Sequence, residues 1–74
     1  MQLNVKLFAT LRDGRFKEEM TEIKDKGQVI DVIEKYNLPI EEVHICLVNG
    51  RDVDKEHVLQ NGDTVSLFPP VGGG

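Results

Sequence analysis

A single amphipathic helix among strand-like segments constrains the fold of this chain more than any other feature of its sequence. Between residues 28 and 36 the apolar side chains recur at helical spacing, and polar side chains fill the opposite side. Asn37 is suited to close this helix, and Pro39 prevents its continuation beyond Leu38. A lone helix with one apolar face has to bury that face against other elements, and the rest of the chain offers strands.

The remaining apolar segments predict four or five strands. Residues 2–8 alternate, so that Leu3, Val5 and Leu7 share one face of a strand while Phe8 falls on the other. Residues 16–23 form a second run without a strict period of two, which indicates a bulged strand. Three further strands are predicted at residues 45–48, 51–53 and 64–68, and the first two of these are joined by the hairpin dipeptide Asn49-Gly50.

Length and order limit the architecture. The chain has 74 residues, and one domain usually takes roughly 100–200, so a second domain does not fit. The simplest α+β arrangement lays the helix across one side of a single mixed sheet. We predict a folded domain over residues 1–70, with a flexible glycine tail at 71–74. If the first and last strands meet in the middle of the sheet, this tail leaves from a central strand.

Composition excludes several classes of function. The net charge is −4, and the basic residues are too sparse to neutralise a phosphate backbone, so no nucleic-acid partner is expected. The apolar run at residues 45–48 is far too short to cross a membrane. The lone Cys46 has no internal disulfide partner, which fits a reducing compartment, and we expect a soluble cytoplasmic protein.

No catalytic or metal-binding set is apparent in the sequence. His44 and Cys46 are two residues apart, but a tetrahedral site needs about four ligands and the only other histidine is His57. No spacing suggests a Ser-His-acid set or a glycine-rich phosphate loop. A chain this small also has little material for an enclosed active site. We therefore expect neither a metal site nor an enzyme.

The end of the chain, residues 69–74, is the segment that points to a function. Pro69-Pro70 favours an extended conformation that projects the chain away from the sheet. The glycines at 72–74 lack Cβ atoms, so the backbone fits a channel too narrow for side chains. The four residues after Pro70 reach at most about 13–14 Å when extended. The carboxylate of Gly74 is ionised at pH 7 and needs activation, most simply as an acyl adenylate, before it reacts with a nucleophile.

The sequence resembles a known family at this tail and elsewhere. Residues 62–74, Gly-Asp-Thr-Val-Ser-Leu-Phe-Pro-Pro-Val-Gly-Gly-Gly, resemble the end of the small subunit of molybdopterin synthase, a MoaD-type sulfur carrier of the ubiquitin-like family. Residues 6–12, Lys-Leu-Phe-Ala-Thr-Leu-Arg, resemble the first strand and following loop of that family, and Asn49-Gly50 resembles its middle turn. The resemblance implies a ubiquitin-like β-grasp fold, in which a mixed sheet of four to five strands carries one main helix on one face.

The resemblance also implies a role as the substrate of other enzymes. In this family a ubiquitin-activating-type adenylyltransferase, which uses ATP and Mg, adenylates the last glycine. Sulfur from a donor protein then converts it to a thiocarboxylate. The tail enters the catalytic large subunit of the synthase and gives its sulfur to the precursor of molybdopterin, the ligand of the molybdenum or tungsten cofactor. The carrier itself binds no cofactor.

Carried over by position, the reactive pair is Gly74, which would bear the thiocarboxylate, and Gly73. The resemblance and the shape of the tail assign partner binding to Phe8, Arg12, Phe68, Pro69, Pro70, Val71 and Gly72. For Phe8 and Phe68 the alternative is a place in the core. Three other functions stay open: sulfur delivery to thiamine or another thiometabolite, covalent modification of proteins as a ubiquitin-like modifier, and a plain binding module with an inert tail.

Overall fold

The fold is known from a computed structural model that describes residues 1–70. Five strands form one mixed sheet in the order β2-β1-β5-β3-β4, in which only β1 and β5 run parallel. Short 3-10 helices at Ala9–Arg12 and Ile40–Glu42 lie in the connections. The longer elements are β1 (Gln2–Leu7), β2 (Glu18–Glu22), α1 (Val29–Lys35), β3 (Ile45–Val48), β4 (Arg51–Val53) and β5 (Thr64–Phe68). The predicted α+β arrangement is confirmed.

Local sequence chemistry sets both ends of α1. At its start the backbone N–H of Gln28 donates to the Asp31 carboxylate at 2.7 Å, and a carboxylate in the first turn is also favoured by the helix dipole. At its end Asn37 adopts a φ of 53°, the left-handed conformation that closes many helices. The helix is one residue shorter at each end than the predicted span 28–36, because Gln28 and Tyr36 are the capping residues.

The core lies between α1 and one face of the sheet. The alternating residues of the three central strands point into it and are buried: Leu3, Val5, Leu7, Cys46, Val48, Val65 and Leu67. For β1 this is the face that the sequence predicts. From the helix, Val29, Val32 and Ile33 complete this layer. The opposite face of the sheet carries no helix in the described part of the chain. We call it the open face.

The connection from Asp54 to Gln60 is predicted to be a loop or a single helical turn, and the structure shows a loop with a structural role. Its carbonyl groups at His57 and Lys55 accept hydrogen bonds from the N–H groups of Val29 and Ile30, at 3.1 and 2.9 Å. The first turn of a helix has no internal partners for these N–H groups. The loop therefore supplies the partners that the start of α1 lacks.

The prediction for β2 is wrong in its length. The strand covers residues 18–22 instead of 16–23, because Phe16 turns toward the helix and packs edge-on against Tyr36, with ring centroids 4.8 Å apart. Met20 lies on the open face, where 61% of its surface is exposed. β1 ends at Leu7, one residue before the predicted end, since the chain turns into the first 3-10 helix after Phe8. Over residues 1–70, no helix combines the length and the apolar character needed to cross a membrane.

Candidate functional site

The last strand leaves the centre of the sheet at a fixed point. β5 lies between β1 and β3, as the sequence analysis anticipates for the strand that carries the tail. At its end the N–H of Phe8 donates to the Leu67 carbonyl at 3.2 Å from one side. From the other side the N–H of His44 donates to the Phe68 carbonyl at 2.8 Å. Strand pairing on both sides therefore holds the backbone up to Phe68, so the segment beyond it starts from a defined position.

Two phenylalanine rings stack beside this exit. Phe8 and Phe68 have ring centroids 4.2 Å apart and planes inclined by 10°. Both side chains are partly buried and lie outside the core, on the open face, where alternation along their strands predicts them. This geometry speaks against a place in the core. The role of the rings in partner binding stays a prediction.

Arg12 covers the outer side of this stack. Its guanidinium carbon lies 5.2 Å from the centre of the Phe8 ring, within the range of a cation–π interaction. Its Nε donates to the carbonyl oxygen of Leu7 at 2.6 Å, which fixes the direction of the side chain. The arrangement depends on Ala9, whose φ of 52° turns the chain sharply after β1. Residues other than glycine rarely adopt this conformation, and such strain is common at functional sites.

Apolar side chains extend the site along β3. Ile45 pairs with Phe68 across the sheet, and Leu47 pairs with Ser66, so both point to the open face, where they are partly buried. Neither residue is among the predicted site residues. The signal was present, because an unbroken apolar run of four residues in a strand places apolar side chains on both faces. Phe68, Ile45 and Leu47 therefore form an apolar strip on the open face, and this strip begins where β5 ends.

The structure brings together part of the predicted site. Phe8, Arg12 and Phe68 form one cluster, with Pro69 partly buried and Pro70 exposed directly after it. Four residues of the predicted site lie outside the described residues, so their roles stay predictions: Val71, Gly72, Gly73 and Gly74. The predicted boundary between the domain and the tail, after residue 70, also stays a prediction. The structure thus describes the segment that leads into the tail and the surface around that segment.

The cysteine thiol in the described residues is poorly placed for covalent chemistry. Cys46 is buried in the core with 3% of its surface exposed, and this burial raises the pKa of its thiol above the ordinary value, so the reactive thiolate is disfavoured. His44 precedes β3 and is exposed, whereas Cys46 is buried. Within residues 1–70, no three His, Cys, Asp or Glu side chains converge as metal ligands.

Comparisons with known proteins agree with this geometry. The model of the ThiS family matches residues 5–74. A structure of a putative molybdopterin converting factor, subunit 1, from Pyrococcus furiosus is 32% identical, with 96% of this chain and 99% of that chain covered and a TM-score of 0.74. The crystal structure of SAMP1 from Haloferax volcanii is 23% identical over the whole of both chains, with a TM-score of 0.80.

A third similar structure contains a second protein. It is a complex of subunits 1 and 2 of the molybdopterin-converting factor from Helicobacter pylori, and the matching chain is 22% identical over the whole of both chains, with a TM-score of 0.67. No curated protein sequence matches the chain closely enough to count as a relative. The similar structures confirm the β-grasp fold that the resemblance implied, with its mixed sheet and single main helix.

Proposed function

This chain belongs to the ThiS family, and on that premise we propose that it carries sulfur for molybdopterin biosynthesis, as a thiocarboxylate on Gly74. The coarser role, a small ubiquitin-like sulfur carrier or modifier, follows from the family and the fold. The proposal depends mainly on one observation. The strand that is anchored on both sides at the centre of the sheet continues into Pro-Pro-Val-Gly-Gly-Gly.

The chemistry of the proposal takes place on other proteins. An oxygen of the Gly74 carboxylate attacks the α-phosphorus of ATP, and pyrophosphate leaves, giving an acyl adenylate. A sulfide-equivalent nucleophile from a sulfur donor then attacks the acyl carbon, a C–S bond forms, and AMP leaves with the electron pair of the broken C–O bond. If the donor is a persulfide, a thiol reductant cleaves the resulting S–S bond. The product is the thiocarboxylate.

In this proposal the chain is a substrate and a subunit, with no catalytic role of its own. ATP and Mg bind to a ubiquitin-activating-type adenylyltransferase, and a catalytic large subunit accepts the sulfur. The presence of two subunits in the Helicobacter pylori complex supports a large-subunit partner. The apolar strip and the Phe8–Phe68 stack supply the kind of surface such a partner needs, because aromatic side chains are frequent anchors of protein interfaces. The narrow tail supplies the part that an enclosed active site holds.

Intact-mass spectrometry tests the activation step. After incubation with ATP, a sulfur donor and the adenylyltransferase from the same genome, the chain should gain about 16 Da, the difference between oxygen and sulfur in the activated carboxyl group. Deletion of Gly74 should abolish the gain, while Gly72→Ala, outside the required pair, should retain it. Absence of a gain in the unmodified chain would refute the proposal.

The destination of the sulfur needs a second assay. Thiocarboxylated protein mixed with a molybdopterin synthase large subunit and its pterin precursor should yield molybdopterin. Failure there, together with thiazole synthesis by a thiamine-pathway synthase, would place the carrier in the thiamine branch. Conjugates of higher mass on a blot of cell extract, absent for the Gly74 deletion, would instead indicate a protein modifier.

A further inference from the structure

A small cleft with excess positive charge lies beside the stacked rings. Its walls are formed by Lys6, Phe8, Arg12, Lys17 and Glu18, and its volume is about 130 Å³. We call it the cationic cleft. Because β1 and β5 are parallel, their carboxyl ends lie side by side at one end of the sheet. The cleft therefore lies at the same end of the molecule as the start of the tail.

The charge of this region contrasts with the charge of the chain. Residues 6–17 contain four basic side chains and one acidic side chain, a net charge of +3 in a protein whose total is −4. Arg15, the basic residue of this segment outside the cleft, donates to the carbonyl of Leu11 at 3.3 Å and thereby holds the loop. The other three basic side chains line the cleft together with the acidic Glu18, so the cleft has a net charge of +2 beside the start of the tail.

The cations of the cleft form no close ion pair, although Glu18 lies opposite Lys6 in the β1–β2 pairing. Within residues 1–70, Lys6, Arg12 and Lys17 form no ion pair within 4.0 Å. The one carboxylate in the wall, that of Glu18, instead accepts a hydrogen bond from the side chain of Asn4 at 2.7 Å. Arg12 uses its Nε on Leu7, and its terminal nitrogens have no hydrogen-bond partner among the described residues. These two nitrogens have the fork geometry that binds a carboxylate with two hydrogen bonds.

We propose that the cationic cleft receives an aspartate or glutamate side chain of the enzyme that holds the tail, and that Lys6 and Lys17 select for it. The inference rests on the proposed function, because that function requires an enzyme to bind at this end of the molecule. The fixed guanidinium of Arg12 provides the bidentate contact. The two lysines raise the positive potential that guides an acidic surface toward the tail.

The size of the cleft favours a side chain over a nucleotide. Pockets for small molecules and cofactors usually have volumes of roughly 300–1,000 Å³, whereas this cleft has about 130 Å³. One carboxylate on a short side chain fits such a space, and the Phe8 ring forms an apolar wall for its methylene groups. A protein carboxylate also matches the location, since an enzyme that encloses the tail must cover this end of the sheet.

Binding to the purified adenylyltransferase and to the large subunit, measured by calorimetry at low and high salt, tests the inference. Lys6→Gln combined with Lys17→Gln should weaken binding to at least one of the two enzymes by about 3- to 20-fold at low salt, as expected for two partly exposed ion pairs. The difference should vanish near 1 M salt, where the screening length falls to about 3 Å. Arg12→Lys keeps the charge but loses the fork, and it should weaken binding at both salt concentrations.

Lys26→Gln is the matched control, because this lysine lies in the turn after β2, at the opposite end of the molecule from the tail. It changes the net charge by one unit and should leave affinity unchanged. Equal binding by all variants would overturn the inference, as would an effect of Lys26→Gln as large as that of the double lysine variant. Failure of the unmodified chain to bind either enzyme would also overturn it.

Two small anions separate the possible occupants. Amide resonances of the cleft in a ¹⁵N-labelled sample that shift with millimolar AMP or inorganic phosphate, but not with acetate, would replace the carboxylate with a phosphate group and overturn the inference. The mass assay keeps this test independent of the proposed function. A chain that gains no sulfur but binds with the predicted dependence on the lysines retains the cleft and loses the carrier role.

Discussion

Substitution of Phe8 and Phe68 by alanine tests whether the stacked rings belong to the core or to a surface that contacts a partner. A fully buried phenylalanine changed to alanine loses about 3–5 kcal/mol of unfolding free energy. Phe8 and Phe68 are only partly buried, on the open face. We therefore expect Phe8→Ala and Phe68→Ala each to lose about 2–3 kcal/mol of unfolding free energy, because most but not all of each side chain is buried.

The variant with both Phe8→Ala and Phe68→Ala measures the coupling free energy between the two stacked rings. Rings with centroids 4.2 Å apart and nearly parallel planes are expected to couple by about 0.5–1.5 kcal/mol beyond their buried area. A 74-residue domain has a total stability of about 4–11 kcal/mol, so the single variants remain folded. Urea denaturation gives the free energies, and each 1 kcal/mol should also lower Tm by about 4–8 °C.

Leu67→Ala is the internal comparison, because this side chain precedes Phe68 on the same strand and points to the other face, where it is fully buried. It should lose about 2–5 kcal/mol and leave the affinity of the folded fraction for the large subunit unchanged. Phe68→Ala should weaken that affinity by at least about 30-fold, as expected for a binding hot spot. Equal destabilisation by Phe68→Ala and Leu67→Ala, with no loss of binding, would place Phe68 in the core and refute the argument.

Three further predictions concern the framework that supports the site. Asn49 has a φ of 53°, and its side chain donates to the Asp63 carboxylate and accepts from the N–H of Thr64, which ties the β3–β4 turn to the start of β5. Asn49→Gly should lose about 1–2 kcal/mol of unfolding free energy and Asn49→Ala about 1 kcal/mol more, measured by urea denaturation. Because burial raises the pKa of Cys46 in the folded state, its contribution to stability is complete below the ordinary value of 9.0 and should decline as pH rises above it. Cys46→Val should remove that decline, and a decline of the same size in this variant would contradict the assignment. Ala9→Gly should raise Tm because it relieves the backbone strain of a φ of 52°. Thr10→Gly, where φ is negative, should lower Tm. A change of Tm in the same direction for both variants would exclude strain at Ala9.

Much of the local structure followed from short-range rules. The period of two in β1 predicts which of its side chains are buried, and the Asn49-Gly50 pair predicts the hairpin, since both residues adopt positive φ there. The helix and its termination at Asn37 were predicted to within one residue at each end. The prediction for β2 was wrong at both ends. At the start of the strand Phe16 interacts with the helix, and no local pattern encodes that contact.

The site was predicted only in part. Phe8 and Phe68 were assigned by resemblance and by their position out of phase with buried neighbours, but sixty residues separate them, and nothing in either segment shows that they meet. Lys6 and Lys17 carry no local signal at all, because scattered lysines are typical of any protein surface. Their common cleft depends on the β1–β2 pairing and on the turn at Ala9, which brings Arg12 back over Phe8.

By itself the sequence determined what depends on neighbouring residues: the periods of helix and strands, the turns at residues with positive φ, and a terminal segment of prolines and glycines. The tertiary structure decided which strands become neighbours. Parallel pairing of β1 with β5 places the end of the first strand beside the start of the tail, and it creates the ring stack and the cationic cleft. That pairing joins segments about sixty residues apart and depends on burial of the whole sheet against α1, so no local window of the sequence contains it.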